Sequence, residues 1–223
     1  MIKTTSLTKS FGKNIVLENI NISFEPGKVY GIVGKNGAGK TTLFNCLLRL
    51  ENHSGSIEST LGTIKNITGY LPTDPYFLSH ITGKEYLKLM SNARNININN
   101  FKERNIFNLP LNQYAETYST GMKKKLALTG ILIQKNDVFI LDEPFNGVDI
   151  ESNILINQII KRLKELNKTI ILSSHIFSTL KDNCDILYYL ENNSIAEGIK
   201  KDDFHIVEER LQGKGLKLNE LDF

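Results

Sequence analysis

Two groups of residues have the types and the spacing that chemistry needs. The first is Gly34-Lys35-Asn36-Gly37-Ala38-Gly39-Lys40-Thr41, followed by Thr42, which fits the pattern G-x-x-x-x-G-K-[ST]. A polyphosphate needs many donors at short range. Glycines let the backbone wrap so that its N–H groups point inward, and a helix starting near Lys40 adds its positive end. Lys40 then reaches the β- and γ-phosphates, and the Thr41 hydroxyl ligates Mg²⁺. The second group is Val138-Phe139-Ile140-Leu141-Asp142-Glu143, an apolar run ending in two acids. A buried strand of this kind delivers its last carboxylates to the carboxyl edge of a sheet, where α/β ligands sit. There Asp142 holds Mg²⁺ through water, and Glu143 polarises an attacking water as general base. A plain strand ending in a polar turn before Pro144 is the alternative, and the upstream phosphate loop weighs against it.

These residues need elements to carry them. Val29-Tyr30-Gly31-Ile32-Val33 reads as a buried strand before the phosphate loop. A helix from Lys40 through Leu50 follows, with Leu43, Cys46, Leu47 and Leu50 on one face. Upstream, Ile2 to Leu7 and Ile15 to Phe24 read as short strands around a loop at Phe11-Gly12-Lys13-Asn14, and Glu25-Pro26-Gly27 is a turn. Downstream, Ile67 to Leu71 is a strand ended by Pro72. Thr82 to Gln113 reads as helical and polar, and Met122 to Leu132 as helix. Ile150 to Leu166 is an amphipathic helix, Thr169 to Leu172 a strand, and Phe177 to Asn183 a helix. Ile186 to Leu190 and Ser194 to Glu197 form a hairpin, and a last helix spans about Lys200 to Leu211. Strands alternating with helices predict an α/β fold with a mostly parallel central sheet. The expected organisation is one domain over 1–223. Its core is 1–72 and 123–223, including an antiparallel β part, and a small helical lobe occupies about 73–122.

Composition narrows the classes. The formal net charge of +3 is too small to suggest a nucleic-acid binder, which usually shows a basic stripe. Lys123-Lys124-Lys125 is the one basic run of note, and it reads as a solvated face at a helix start. Cys46 and Cys184 have no metal-type spacing and read as reduced, buried thiols. The N-terminus lacks the apolar core of a signal peptide, and no apolar stretch approaches the roughly 18 residues of a membrane helix. A membrane role therefore calls for another chain to supply the spans.

Further residues make the reading specific. Tyr118-Ser119-Thr120-Gly121-Met122, at a helix start, resembles the signature motif of ATP-binding cassette (ABC) proteins, which in the family reads Leu-Ser-Gly-Gly-Gln. Asn146-Gly147-Val148-Asp149 resembles the family's D-loop, and Ser173-Ser174-His175 follows a strand as the switch histidine does. Phe11 falls where the family places an aromatic that stacks on adenine. Singly, each has a plain reading: Ser119 and Asp149 as helix caps, His175 as a helix-end histidine, Phe11 as packing. The order of the set overrides them. One departure is clear. Where the family's Q-loop has Gln after an apolar strand, this chain has Thr73 and Asp74 after Pro72. Thr73 offers only a hydroxyl, and Asp74 is an acid shifted by one position.

The resemblance implies a P-loop NTPase fold and an ATP-hydrolysing subunit of an ABC transporter, exporter-like and of the drug or peptide type, with ATP and Mg²⁺. It implies a homodimer or heterodimer of ATPase subunits closing head to tail. Gly34 to Thr42 of one subunit would hold ATP, and Ser119, Gly121, Met122 and Asp149 of the other would complete the pocket. It also implies His175 at the γ-phosphate, a separate transmembrane permease, and a cytoplasmic place on the inner face of the cell membrane. The competing reading is a soluble ABC ATPase acting on ribosomes, DNA or cluster assembly. Such proteins usually carry heptad or basic additions that this chain lacks. A regulatory module that holds ATP without turnover is disfavoured by Lys40, Asp142, Glu143 and His175. In a small-molecule kinase the signature and switch histidine would have no role.

Overall fold

A computed structural model describes residues 1–212. The chain opens with β1 (Ile2–Phe11), β2 (Asn14–Ile20) and β3 (Ser23–Phe24), then β4 (Val29–Val33) and α1 (Lys40–Leu47). Next come β5 (Ser54–Ser59), α2 (Ile64–Ile67), β6 (Thr68–Leu71) and α3 (Gly83–Asn92). The second half runs α4 (Thr120–Ile133), β7 (Val138–Asp142), α5 (Ile150–Glu165), β8 (Thr169–Ser173) and α6 (Phe177–Asn183). It ends with β9 (Ile186–Glu191), β10 (Ser194–Ile195), β11 (Ile199–Lys200) and α7 (Phe204–Gln212).

The main sheet has the order β10-β9-β4-β8-β7-β6, with β11 also on β9. The pairs β4–β9, β4–β8, β7–β8 and β6–β7 are parallel, and the two short strands on β9 are antiparallel. Every residue of β4, β7 and β8 is buried, as a parallel sheet covered on both faces requires. Side chains alternate between two cores. Phe139, Leu141, Ile170 and Leu172 join the face covered by α4, α5, α6 and α7. Val138, Ile140 and Ile171 join the face that holds Leu43 and Leu47 of α1 and Leu7, Leu17 and Phe24 of the antiparallel strands. In that second sheet β1 pairs with β2, β3 and β5.

Several expectations need correcting. The helix after the phosphate loop stops at Leu47, and Leu50 lies beyond it, 58% exposed. Arg49 turns left-handed (φ 56°), which ends the apolar face at Leu48. The run Ile15 to Phe24 is two strands, parted at Asn21-Ile22. The polar stretch expected to be helical from Thr82 to Gln113 is helical over α3 and otherwise forms turns, with a single 3-10 turn at Lys102–Arg104. Asparagines explain this, because their side chains compete for backbone groups. Asn105 binds both N–H and C=O of Leu109, the Asn100 carbonyl accepts from Lys102 N–H, and Asn95 and Asn108 are left-handed. α3 itself starts on a capping box, in which Thr82 and Glu85 satisfy each other's backbone N–H. The final helix begins at Phe204 instead of near Lys200, after β11 and a 3-10 turn.

Candidate functional site

The strand order assembles the site. β8 lies between β4 and β7, and β6 flanks β7, all parallel. Their carboxyl ends therefore share one edge. The phosphate loop leaves β4, Asp142 ends β7 with Glu143 next, Ser173 ends β8 with Ser174 and His175 next, and Thr73 follows β6. A cleft of about 520 Å³ opens there, lined by Asn36, Gly37, Gly39, Lys40, Thr41, Thr42, Thr73, Asp142, Glu143, Asn146, His175 and Val16. Phosphate-loop residues thus share one space with carboxylate and histidine residues a hundred or more positions further along the chain.

The loop backbone needs its glycines. Gly39 sits at φ 106°, where a Cβ would also lie 3.0 Å from Val16 Cγ1. Lys40 is 7% exposed, and its ammonium donates to the carbonyls of Gly34 (2.8 Å) and Lys35 (3.2 Å). Burial lowers its pKa, while Glu143 and Asp142 act in the opposite sense. This is a desolvated positive charge at the start of α1, suited to anionic oxygens.

Asp142 is fixed from two sides. Thr41 Oγ1 donates to its Oδ2 at 2.6 Å, and Ser173 Oγ donates to its Oδ1 at 2.5 Å. Ser173 Oγ also accepts from Glu143 N–H at 3.0 Å. Glu143 has a left-handed backbone (φ 51°), a state costing about 1–3 kcal/mol at a non-glycine residue and held only where its surroundings impose it. Its Oε2 lies 2.9 Å from His175 Nδ1. A carboxylate only accepts, so in this contact Nδ1 carries a proton and donates it. The His175 side chain is 45% exposed, against 11% for Glu143.

The oxygen donors fit a divalent cation of the Mg²⁺ type, which is hard and takes oxygen ligands. Among the described residues no group of three or more His, Cys, Asp or Glu side chains could hold a metal alone. The Thr41 hydroxyl beside the Asp142 carboxylate suits an ion that draws its other ligands from phosphate and water.

The remaining residues lie outside this cleft. Ser119 caps α4, its hydroxyl accepting from Met122 N–H at 3.3 Å. Gly121 packs on the loop after β7, where a Cβ would meet Gly147 O at 2.6 Å. Asp149 caps α5 through Ser152 N–H (2.8 Å) and pairs with Lys125 (3.0 Å); these bonds hold its carboxyl well below the usual range. Ser119, Gly121, Met122 and Asp149 do not line the cleft of their own chain. Phe11 ends β1, 48% exposed, with the Lys9 ammonium 4.3 Å from its ring centroid. Thr73 lines the cleft and Asp74 does not.

Three residues at the cleft have no role of their own in the sequence reading, although Asn146 and Ser173 lie within its motifs. Ser173 bridges the two carboxylate residues, Asn146 lines the cleft, and Val16 forms one of its walls. The expectation of a solvated Lys123-Lys124-Lys125 face is wrong for Lys124, which is 1% exposed. Lys123 and Lys125 are half-buried.

Comparison with known proteins agrees with this geometry. The sequence model of the family described as ABC transporter matches residues 17–146. The lantibiotic transport ATP-binding protein SrtF of Streptococcus pyogenes is 31% identical, covering 87% of this chain and 89% of its own. The bacitracin transport ATP-binding protein BcrA of Enterococcus faecalis is 28% identical, covering 92% of this chain and 71% of its own. A solved structure described as the ATP-binding subunit of an ABC transporter superposes with a TM-score of 0.81 at 22% identity, covering 99% of this chain and 97% of that one.

Proposed function

The chain belongs to the ABC transporter family as an ATP-binding, ATP-hydrolysing subunit, and from that membership we propose that two such cassettes close on ATP to drive a separate transmembrane permease. One observation carries the reading. Lys40, Thr41, Asp142, Glu143 and His175 share a cleft, whereas Ser119, Gly121, Met122 and Asp149 lie outside it on the first turns of α4 and α5. A second subunit, identical or closely related, gives those outlying groups a ligand.

In this reading the loop from Gly34 to Thr42 binds the phosphates, with Lys40 on the β- and γ-groups. Phe11 provides an exposed ring for the adenine base. Thr41 and Asp142 would hold Mg²⁺, which when bound offsets phosphate charge; Thr73 and Asp74 are weaker contributors. Glu143 accepts a proton from water as general base. His175, oriented by Glu143, contacts the γ-phosphate, donating through Nε2 when the ring carries both protons. Ser119 and Gly121 of the partner cassette offer a hydroxyl and helix N-terminal N–H groups to that same phosphate, flanked by its Met122 and Asp149. Little covalent chemistry falls to the protein; catalysis is positioning and charge stabilisation. The segment at about 73–122 relays closure to the permease.

Among the described residues no helix is long and apolar enough to cross a membrane. We place the chain on the inner face of the cell membrane, held there by the permease. The names of the relatives, for bacitracin and lantibiotic transport, support a peptide or drug as the cargo. The Ser-Thr-Gly-Met signature supports export. A tagged chain isolated from its own cells tests the partner. Co-purification with a polytopic membrane protein is expected. Recovery with ribosomes or nucleic acid and no membrane protein would favour the soluble-ATPase reading instead.

A further inference from the structure

Lys124 lies in α4, five residues after the Ser119 cap, which is about 7.5 Å along the helix axis. It is among the largest fully buried side chains of the described residues. Its ammonium donates to two backbone carbonyls, Glu143 O at 2.8 Å and Asn146 O at 2.9 Å. Glu143 O also accepts from Asn146 N–H at 3.2 Å. The ammonium therefore closes a tight turn whose first residue is the left-handed Glu143. The carboxylates of Asp74, Glu143 and Asp142 all lie within electrostatic reach of it. Neighbouring contacts run in parallel: Gly121 abuts Gly147 O, and Lys125 binds Asp149 and Ser152. The start of α4 is thus fastened along the whole loop from Glu143 to Asp149, and the Lys124 contact alone reaches the Glu143 backbone.

We propose that Lys124 is a positioning residue for hydrolysis: it fixes the Glu143 turn and ties it to the Ser119–Gly121 end of α4, so that docking of that end on nucleotide aligns the carboxylate. Glu143 is then held at three points. Its N–H is on Ser173, its carboxylate on His175 and its C=O on Lys124. Lys124 touches no reacting atom and does not line the cleft. The inference rests on Glu143 acting as the base, as proposed above.

The substitution Lys124→Met keeps length and volume but leaves the carbonyls of Glu143 and Asn146 without the ammonium, so some loss of melting temperature is expected with it. With the turn released, kcat for ATP is expected to fall at least about tenfold, while the dissociation constant for ATP stays within about threefold. Lys124→Gln keeps N–H donors and should retain an intermediate kcat. Parental kcat in Lys124→Met overturns the proposal. So does a parallel loss of kcat, ATP affinity and melting temperature, the mark of a merely structural lysine. If Lys124→Met does not fold, Lys124→Gln decides by the same readouts: kcat lowered with affinity kept supports the role, and parental kcat or a parallel loss refutes it. Glu143→Gln is measured alongside. Its activity at the parental rate would refute the assigned base, whereas an inactive Glu143→Gln beside a fully active Lys124→Met would refute only the role of Lys124.

Discussion

Glu143→Gln is expected to lower ATP turnover by about 1,000-fold, within the span that a positioned general base contributes, while leaving ATP binding at the parental level. The amide matches the carboxylate in shape, and its oxygen can still accept from His175 Nδ1, so the 2.9 Å contact survives. The left-handed turn at Glu143 also survives, because its N–H and C=O remain on Ser173 and Lys124. Only the proton acceptor is lost. Nothing in the phosphate loop changes, since Lys40 and Thr41 make their contacts to Gly34, Lys35 and Asp142. The variant should therefore accumulate as an ATP-loaded dimer that does not reopen. Phosphate release and nucleotide titration on the same sample check both halves. Turnover at the parental rate would remove Glu143 from the role of base.

Lys40→Ala should fail earlier, at binding. The Lys40 ammonium is buried beside the cleft and partly desolvated, so its interaction with a polyphosphate is poorly screened. Hydrogen bonds to charged groups contribute about 1.5–3 kcal/mol each. Losing the charge with its contacts should weaken ATP binding by about 100-fold or more. The two variants separate cleanly by calorimetry: Glu143→Gln binds and does not hydrolyse, and Lys40→Ala hardly binds. Parental affinity in Lys40→Ala would mean that the loop does not hold the phosphates.

Much of this site is legible in the sequence because it is carried by short local patterns. The strands Val29–Val33 and Val138–Asp142 are apolar runs bounded by a turn, a Gly-rich loop or acids, and both sit where those patterns place them. The helix Phe177–Asn183 matches its expected bounds as well. The parallel order that brings His175 to Glu143 follows from alternating strands and helices, but which strand is inserted between β4 and β7 does not. That placement is a tertiary fact.

What was missed has physical causes. The strand Ser54–Ser59 has one apolar residue, Ile57, and owes its form to pairing with β1. The asparagine-rich stretch after α3 has polar periodicity, yet its side chains satisfy the backbone locally and prevent helix. Lys124 looks like one of three surface lysines. Its burial becomes evident only when the carbonyls of Glu143 and Asn146 are seen to face it across 19 and 22 residues of sequence. Leu50 extends a helical apolar pattern that a left-handed Arg49 has already ended.

The proposed cycle requires nucleotide to be enclosed by two chains. The decisive measurement is the structure of Glu143→Gln with ATP and Mg²⁺. It should show the Ser119 hydroxyl at hydrogen-bonding distance, about 3 Å, from a γ-phosphate whose other contacts include Lys40 of the opposite chain. A nucleotide closed over by a single chain, with Ser119 serving only as the cap of its own helix, would contradict it.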